Sequence, residues 1–240
     1  MIFLLTLILA DSELELVPKE IQNNPIIVKF ARKKKKEPSK ILLDSNLHYK
    51  AMKSLTDKQR RGRPDIIYIT LLNTLDSPLN RAELLKIYIH TRNNEIILIN
   101  KNTRLPRNYN RFIGLFEQLF DKKKIPSENS LLTIQKKTIE ELLTELRPEY
   151  TIVLSENGEK ISSRGLMQKA AIYKNVAVII GGFPHGDFIS DVKKFANKIA
   201  CIDPAPLNAW TVANRVIFSY EDAINLAEMR LKIASERSKT

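Results

Sequence analysis

The chain has 240 residues, 43% hydrophobic and 28% charged, a balance that supports a packed core and excludes an intrinsically disordered polymer. Against 27 Asp and Glu stand 39 Lys and Arg, and the resulting formal charge of +12 points to a polyanionic partner, most simply nucleic acid. One cysteine, Cys201, and three histidines, His48, His90 and His185, without CxxC or HExxH spacing, exclude an intrachain disulfide and argue against any metal centre.

The opening run, residues 2–10, is apolar except for Thr6. It is far shorter than the roughly twenty residues of a membrane helix. It lacks a basic leader, and Asp11, Glu13 and Glu15 follow at once. It therefore reads as a buried first strand of a cytoplasmic protein with no membrane association, not as a targeting segment. Residues 11–16 read as a short helix limited by Pro18. Residues 17–40 contain Pro18, Pro25, Pro38 and the run Arg32-Lys33-Lys34-Lys35-Lys36, and read as a solvated loop that adds nonspecific phosphate attraction.

Asp44 or Ser45 is placed to cap a helix carrying Leu47, Met52 and Leu55. The β-branched and aromatic run at 66–72 predicts a buried strand. Asp76-Ser77-Pro78 ends it and opens a helix through Leu85. Residues 88–91 and 95–99 predict two strands joined at Asn93-Asn94. A basic loop from 101 to 111 leads into a helix whose apolar face is Tyr109, Phe112, Phe116, Leu119 and Phe120, and Lys122–Lys124 close it favourably for the dipole. Residues 130–146 predict a strand and a helix beginning after Thr138. From 151 onward the pattern is strand 151–154, a turn at SENGEK, helix 163–173, strand 176–180, a short basic helical segment, strand 199–202 and a final helix. Such alternation argues for a mostly parallel α/β sheet with helical crossovers.

Three clusters carry chemistry. In Arg60-Arg61-Gly62-Arg63-Pro64-Asp65, an extended backbone points Arg63 and Asp65 the same way, so that the carboxylate orients the guanidinium. Arg104, Arg107 and Arg111 recur at three- and four-residue intervals near a helix start and suit phosphate contacts. The loops GGFPHGDF (181–188) and DPAPL (203–207) follow two buried strands, where open α/β sheets bind ligands. GGFPHGDF is neither GxGxxG nor a phosphate-binding Walker loop, and it carries no Lys or Arg. Its glycines permit close approach of a neutral planar group such as an adenosine.

Read together and in order, LLDSNLHYKAM, RRGRPDI, RNYNRFIGLFEQLF, GGFPHGDF and APLNAWTVANRVI resemble the archaeal branch of the N1-specific pseudouridine rRNA methyltransferase family, within the SPOUT superfamily. The resemblance covers nearly the whole chain. It implies one SPOUT methyltransferase domain over 1–240, with a C-terminal trefoil knot at 151–240 that holds S-adenosylmethionine, and a homodimer. It maps the cofactor contacts onto Leu154, Gly181, Gly186, Ile202, Asp203, Pro204, Ala205, Pro206 and Leu207. The rRNA-contacting arginines map onto Arg63, Arg104, Arg107 and Arg111, with Asp65 steadying Arg63 as its catalytic partner. The implied substrate is N1 of a pseudouridine in small-subunit (16S) rRNA during ribosome biogenesis, with pre-ribosomal proteins as further partners. Two other readings compete: a noncatalytic rRNA-binding assembly factor or RNA chaperone, and methylation of a different nucleotide atom.

Overall fold

A computed structural model describes residues 3–237, so Ile2 of the opening run lies outside the described residues. One eight-stranded sheet organises the chain, in the order β4-β5-β3-β2-β1-β7-β6-β8. Its strands are β1 (Leu4–Ser12), β2 (Leu85–Thr91), β3 (Glu95–Ile99), β4 (Lys124–Ile125), β5 (Leu132–Lys136), β6 (Tyr150–Lys160), β7 (Asn175–Gly181) and β8 (Lys198–Cys201). The run β2-β1-β7-β6-β8 is parallel throughout, while β3, β5 and β4 extend it by antiparallel pairing.

Strand periodicity explains why the central runs are apolar without interruption. In β1, Leu5, Leu7 and Leu9 face one core with Val176, Val178 and Ile180 of β7. Ile8 and Ala10 face the other with Ala177 and Ile179. Both faces are covered, as parallel strands require. Nine α-helices complete the described chain: α1 (Pro25–Lys34), α2 (Ser45–His48), α3 (Pro64–Leu75), α4 (Pro78–Arg81), α5 (Tyr109–Lys122), α6 (Ile139–Leu146), α7 (Ser163–Ala170), α8 (Ala209–Ala223) and α9 (Leu226–Arg237). Helices α3, α5, α7 and α8 supply the first core, and α6 the second.

Several expectations need correction. The run at 66–72 is not a strand but the middle of α3. Pro64 presets the first helical φ, Asp65 sits in the first turn, and Ile66, Ile67, Thr70, Leu71 and Thr74 are buried at helical spacing. Thr70 Oγ1 satisfies itself by donating to the Ile66 carbonyl at 2.7 Å, so a β-branched sequence folds helically where packing against α5 and α8 demands it. Residues 13–16 stay extended instead of helical, since Leu16 pairs with Leu42 and Glu13 N–H donates to the Gly182 carbonyl. The polar stretch at 17–40 holds α1, capped by Asn24 with Pro25 at the first position. The helix after Pro78 stops at Arg81, and Leu85 already belongs to β2. SENGEK is not a turn between elements but lies within β6, and α7 ends at Ala170.

Candidate active site

Parallel strands β7, β6 and β8 end side by side, and their C-terminal ends open into a cavity of about 440 Å³. Leu154 closes the floor from β6, Gly181 from β7 and Cys201 from β8. Beyond Leu154 the strand bulges: Leu154 and Glu159 both register with Ala200, and Ser155, Glu156 and Asn157 of the intervening bulge line the cavity. Gly158 lets that bulge press onto β8, because a Cβ there would meet the Ala200 backbone at 2.5 Å. Opposite runs the loop after β7, where Gly186 at φ +87° makes a bend that side-chain-bearing residues rarely adopt.

Of the cofactor positions expected from sequence, Leu154, Gly181, Gly186, Ile202, Asp203, Ala205 and Leu207 line this one cavity. Pro204 and Pro206 lie in the same loop but are exposed and stand outside the lining. Sequence reasoning did not single out Glu156, Asn157 and Val212 and took Asp187 only as part of the 181–188 loop; all four also line it. Glu156, Asp187 and Asp203 are its acids, and no Lys or Arg is among the lining residues. The Asp187 carboxyl is held below its ordinary value by the hydrogen bond from Lys193 Nζ at 2.6 Å, so it stays ionised. Lys193 at 2.6 Å from Asp187 and Arg215 at 4.0 Å from Asp203 offset part of this charge, but the lining itself offers a phosphate no cationic side chain and leaves Glu156 to favour a cationic ligand. His185 lines the cavity too, exposed and without a hydrogen-bonded side chain. Cys201 donates its thiol to the Asp203 carbonyl at 3.0 Å, which tethers the second loop.

The loop after β7 is pinned at its far end by Asp11. That buried carboxylate accepts from Ile189 N–H at 2.7 Å, Ser190 N–H at 2.9 Å and the Ser190 hydroxyl at 2.6 Å, next to His90. Burial alone would raise the Asp11 carboxyl, but these bonds and His90 outweigh it and leave it below the usual carboxylate value.

Each of the three arginines in RRGR has a different task. Arg60 reaches the glycine-bearing loop: its guanidinium lies 3.8 Å from the Phe183 ring centroid, and Nη1 donates to the Asp187 carbonyl at 2.5 Å. Its Nε is held by Glu13 at 2.6 Å, a carboxylate with no exposed surface that Arg92 also engages at 2.7 Å. Arg61 makes a buried bidentate pair with Glu15 at 2.7 and 2.8 Å. Arg63 stands at the start of α3, just before Pro64, and forms the expected pair with Asp65, Nε to Oδ1 at 2.9 Å and Nη2 to Oδ2 at 2.7 Å. The backbone is a helix start rather than an extended segment, but the geometry still closes as a fork. That hydrogen-bonded partner raises the Arg63 pKa against the opposing effect of burial.

Beside this fork stand Tyr68 and Tyr109, ring centroids 5.4 Å apart. Tyr109 donates to Asp44 Oδ2 at 2.8 Å, and Tyr68 donates to the Arg107 carbonyl. Burial first, and then the Asp44 carboxylate, push the Tyr109 hydroxyl far above its ordinary value, which fixes it as a neutral donor. LLDSN, RGRPD and RNYNRF thus meet in space. The helical period marked Tyr109 only as a core residue; its hydroxyl ties RNYNRF to LLDSN, and Ser45 N–H, donating to the Gly62 carbonyl at 2.8 Å, ties LLDSN to RGRPD.

Arg104 and Arg107 precede α5 and Arg111 lies in its first turn, after the Asn108 cap. All three are exposed, and no hydrogen bond or ion pair engages their side chains among the described residues. Their backbone, in contrast, is fixed. Asn80 donates to the Lys101 carbonyl at 3.0 Å, and Thr103 donates to the Leu131 carbonyl at 3.0 Å. Free guanidinium groups on an anchored loop form a preorganised anion-binding surface. Among the described residues, no cluster of three His, Cys, Asp or Glu is placed to hold a metal ion. No helix among the described residues is long and apolar enough to cross a membrane.

Comparison with known proteins places these features. The EMG1/NEP1 methyltransferase family model matches residues 7–221. The chain is 52% identical over 217 residues to the ribosomal RNA small subunit methyltransferase Nep1 of Pyrococcus furiosus, covering 90% of this chain and 96% of that one. It is 49% identical to the Thermococcus sibiricus protein of the same name over 92% of this chain and 99% of that one. The crystal structure of Archaeoglobus fulgidus Nep1 bound to S-adenosylhomocysteine superimposes with a TM-score of 0.80 at 36% identity, covering 94% of this chain and all of that one. The chain belongs to the EMG1/NEP1 methyltransferase family.

Proposed function

We propose that this chain is an S-adenosylmethionine-dependent methyltransferase acting on N1 of a pseudouridine in small-subunit rRNA. The observation that carries the reading is the pairing of a cavity with no Lys or Arg in its lining with an anchored row of free arginines. The cavity fits the cofactor on size, since about 440 Å³ lies within the range of cofactor pockets. It fits on charge as well, because no Lys or Arg lines it and Glu156, without an ion pair among the described residues, complements a ligand with a sulfonium and an ammonium group. Leu154, Gly181, Ile202 and Leu207 are the residues to enclose its adenosine, with Gly186, Asp203 and Ala205 on the facing loops.

When bound, the cofactor supplies an electrophilic methyl group. The protein's part is to bring a nitrogen nucleophile to it. Arg104, Arg107 and Arg111 take the RNA backbone, and their freedom from internal ion pairs leaves their charge available to phosphates. Arg63 is the catalytic cation, stabilising negative charge on the base as its N1 proton is lost to solvent. Asp65 is a positioning residue, for both of its oxygens are committed to Arg63. Arg60 joins the two halves, since RRGRPD grips the cofactor loop at one end and presents Arg63 at the other.

The reading extends to a single methyltransferase unit over 1–240, knotted at 151–240 and working as a cytoplasmic homodimer on pre-ribosomal particles. Ile172, Phe218 and Leu231, exposed by 73%, 72% and 65%, support the dimer as apolar surface on the α7–α9 side of the sheet. Calorimetric titration tests the cofactor claim: S-adenosylmethionine and S-adenosylhomocysteine bind, whereas ATP does not. A chain that binds the rRNA hairpin but neither sulfur ligand is a noncatalytic assembly factor instead.

A further inference from the structure

Gly114 has no internal reason to be glycine. It lies inside α5 without a positive φ, and a Cβ built on it meets nothing within 4 Å. Glycine in a helix interior weakens the helix relative to alanine, so the fold alone favours alanine at this position.

What surrounds Gly114 is polar and cationic. Arg111, Gly114, Gln118 and Lys122 recur at spacings of three, four and four and share one face of the helix. Arg111, Gln118 and Lys122 are exposed. The nearby acids are already neutralised: Glu117 is turned inward and held by Lys36 at 2.6 Å and Lys34 at 3.6 Å, and Asp121 pairs with Lys40 at 3.3 Å. Through Lys34 and Lys36, the basic run at 32–36 is tied to Glu117 of α5, with Arg32, Lys33 and Lys35 exposed, and Lys122, Lys123 and Lys124 are exposed at the helix end. The 32–36 run is thus tied to the middle of α5, and Lys122–Lys124 add a second basic cluster at its end. The free arginines stand at the other end, and Arg111 and Lys122 are separated by a rise of about 16 Å.

We propose, resting on the reading of this chain as an rRNA-modifying enzyme, that this face of α5 is a phosphate-binding track. It leads the RNA backbone from the arginines to the lysine patch, and at Gly114 the sugar-phosphate chain lies against bare helix. A protein partner seated on a glycine needs apolar neighbours, whereas Arg111, Gln118 and Lys122 match a polyanion.

The test uses the full-length protein and a small-subunit rRNA hairpin. Gly114→Ala raises the thermal midpoint by about 2–4 °C, yet weakens hairpin binding severalfold; Gly114→Leu weakens it on the order of tenfold or more, with S-adenosylhomocysteine affinity unchanged. The Lys122→Ala/Lys124→Ala double variant flattens the dependence of log affinity on log salt by about 1.4. Equal RNA affinity in the Gly114 variants overturns the track, as does a Gly114→Ala protein that is less stable. A change in sedimentation with intact RNA binding also overturns it, and makes this face a subunit contact. If the unmodified chain does not bind the hairpin, the underlying reading falls together with the track; if it binds and the variants match it, only the track falls.

Discussion

Arg60 offers the sharpest test of how the two halves of the site are coupled. In Arg60→Ala the Nε bond to Glu13 disappears from a pair whose side chains are 11% and 0% exposed. Breaking a buried pair costs about 3–5 kcal/mol when the survivor is left alone. Here Arg92 still engages Glu13 at 2.7 Å, and one buried Arg60 nitrogen, Nη2, already lacks a partner, so about 2–3 kcal/mol is the expected loss. In a chain of 240 residues that lowers the thermal midpoint by roughly 4–12 °C. The loop also loses the cation–π contact with Phe183 and the bond to the Asp187 carbonyl, together about 1.5–2 kcal/mol. Since that loop walls the cavity, S-adenosylhomocysteine affinity falls about tenfold or more by calorimetry. Arg60→Lys keeps a charge near Glu13 but not the fork and falls between. A variant that unfolds earlier but binds the ligand within twofold of the parent refutes the coupling.

Asp65→Ala frees Arg63 from both hydrogen bonds, and methyl transfer slows by roughly 10–100-fold while S-adenosylhomocysteine affinity holds; a matching loss of cofactor binding contradicts a positioning role. Arg107→Ala lowers the salt slope of RNA binding by about 0.7 if it neutralises one single-strand phosphate, and an unchanged slope removes that contact. His48 is buried, and burial holds its imidazole below the ordinary 6.5 despite Asp44, so the unfolded chain takes up a proton more readily. Stability is therefore fully present above about pH 6.5 and declines as pH falls below it; His48→Gln flattens that decline in thermal scans, and an unaltered pH dependence assigns it elsewhere.

How much of this was legible in the sequence depended on which force dominated locally. The doubly buried strands declared themselves, since β1 and β7 have no solvent-facing side to carry polar residues. Helix α5 did too, with Phe112, Phe116 and Phe120 at helical spacing. Helix α3 did not: its β-branched composition matches a strand, and only its contacts with α5 and α8 make the helix win. Helix α1 hid behind prolines that proved to be its punctuation. The Arg63–Asp65 fork was readable because its partners are two residues apart. The Arg60–Phe183 and Tyr109–Asp44 contacts span long stretches of chain, and without the fold no local spacing announces them. Glu156 was invisible for the same reason, since nothing local in β6 shows that it joins Asp187 and Asp203 at one cavity.

The central claim is tested most directly by methyl transfer from labelled S-adenosylmethionine to two synthetic small-subunit rRNA hairpins, one with pseudouridine at the target position and one with uridine, followed by mass spectrometry of the nucleosides. N1-methylpseudouridine from the first hairpin and no product from the second is the expected result. Methylation of the uridine hairpin alone, or of any other atom, contradicts it.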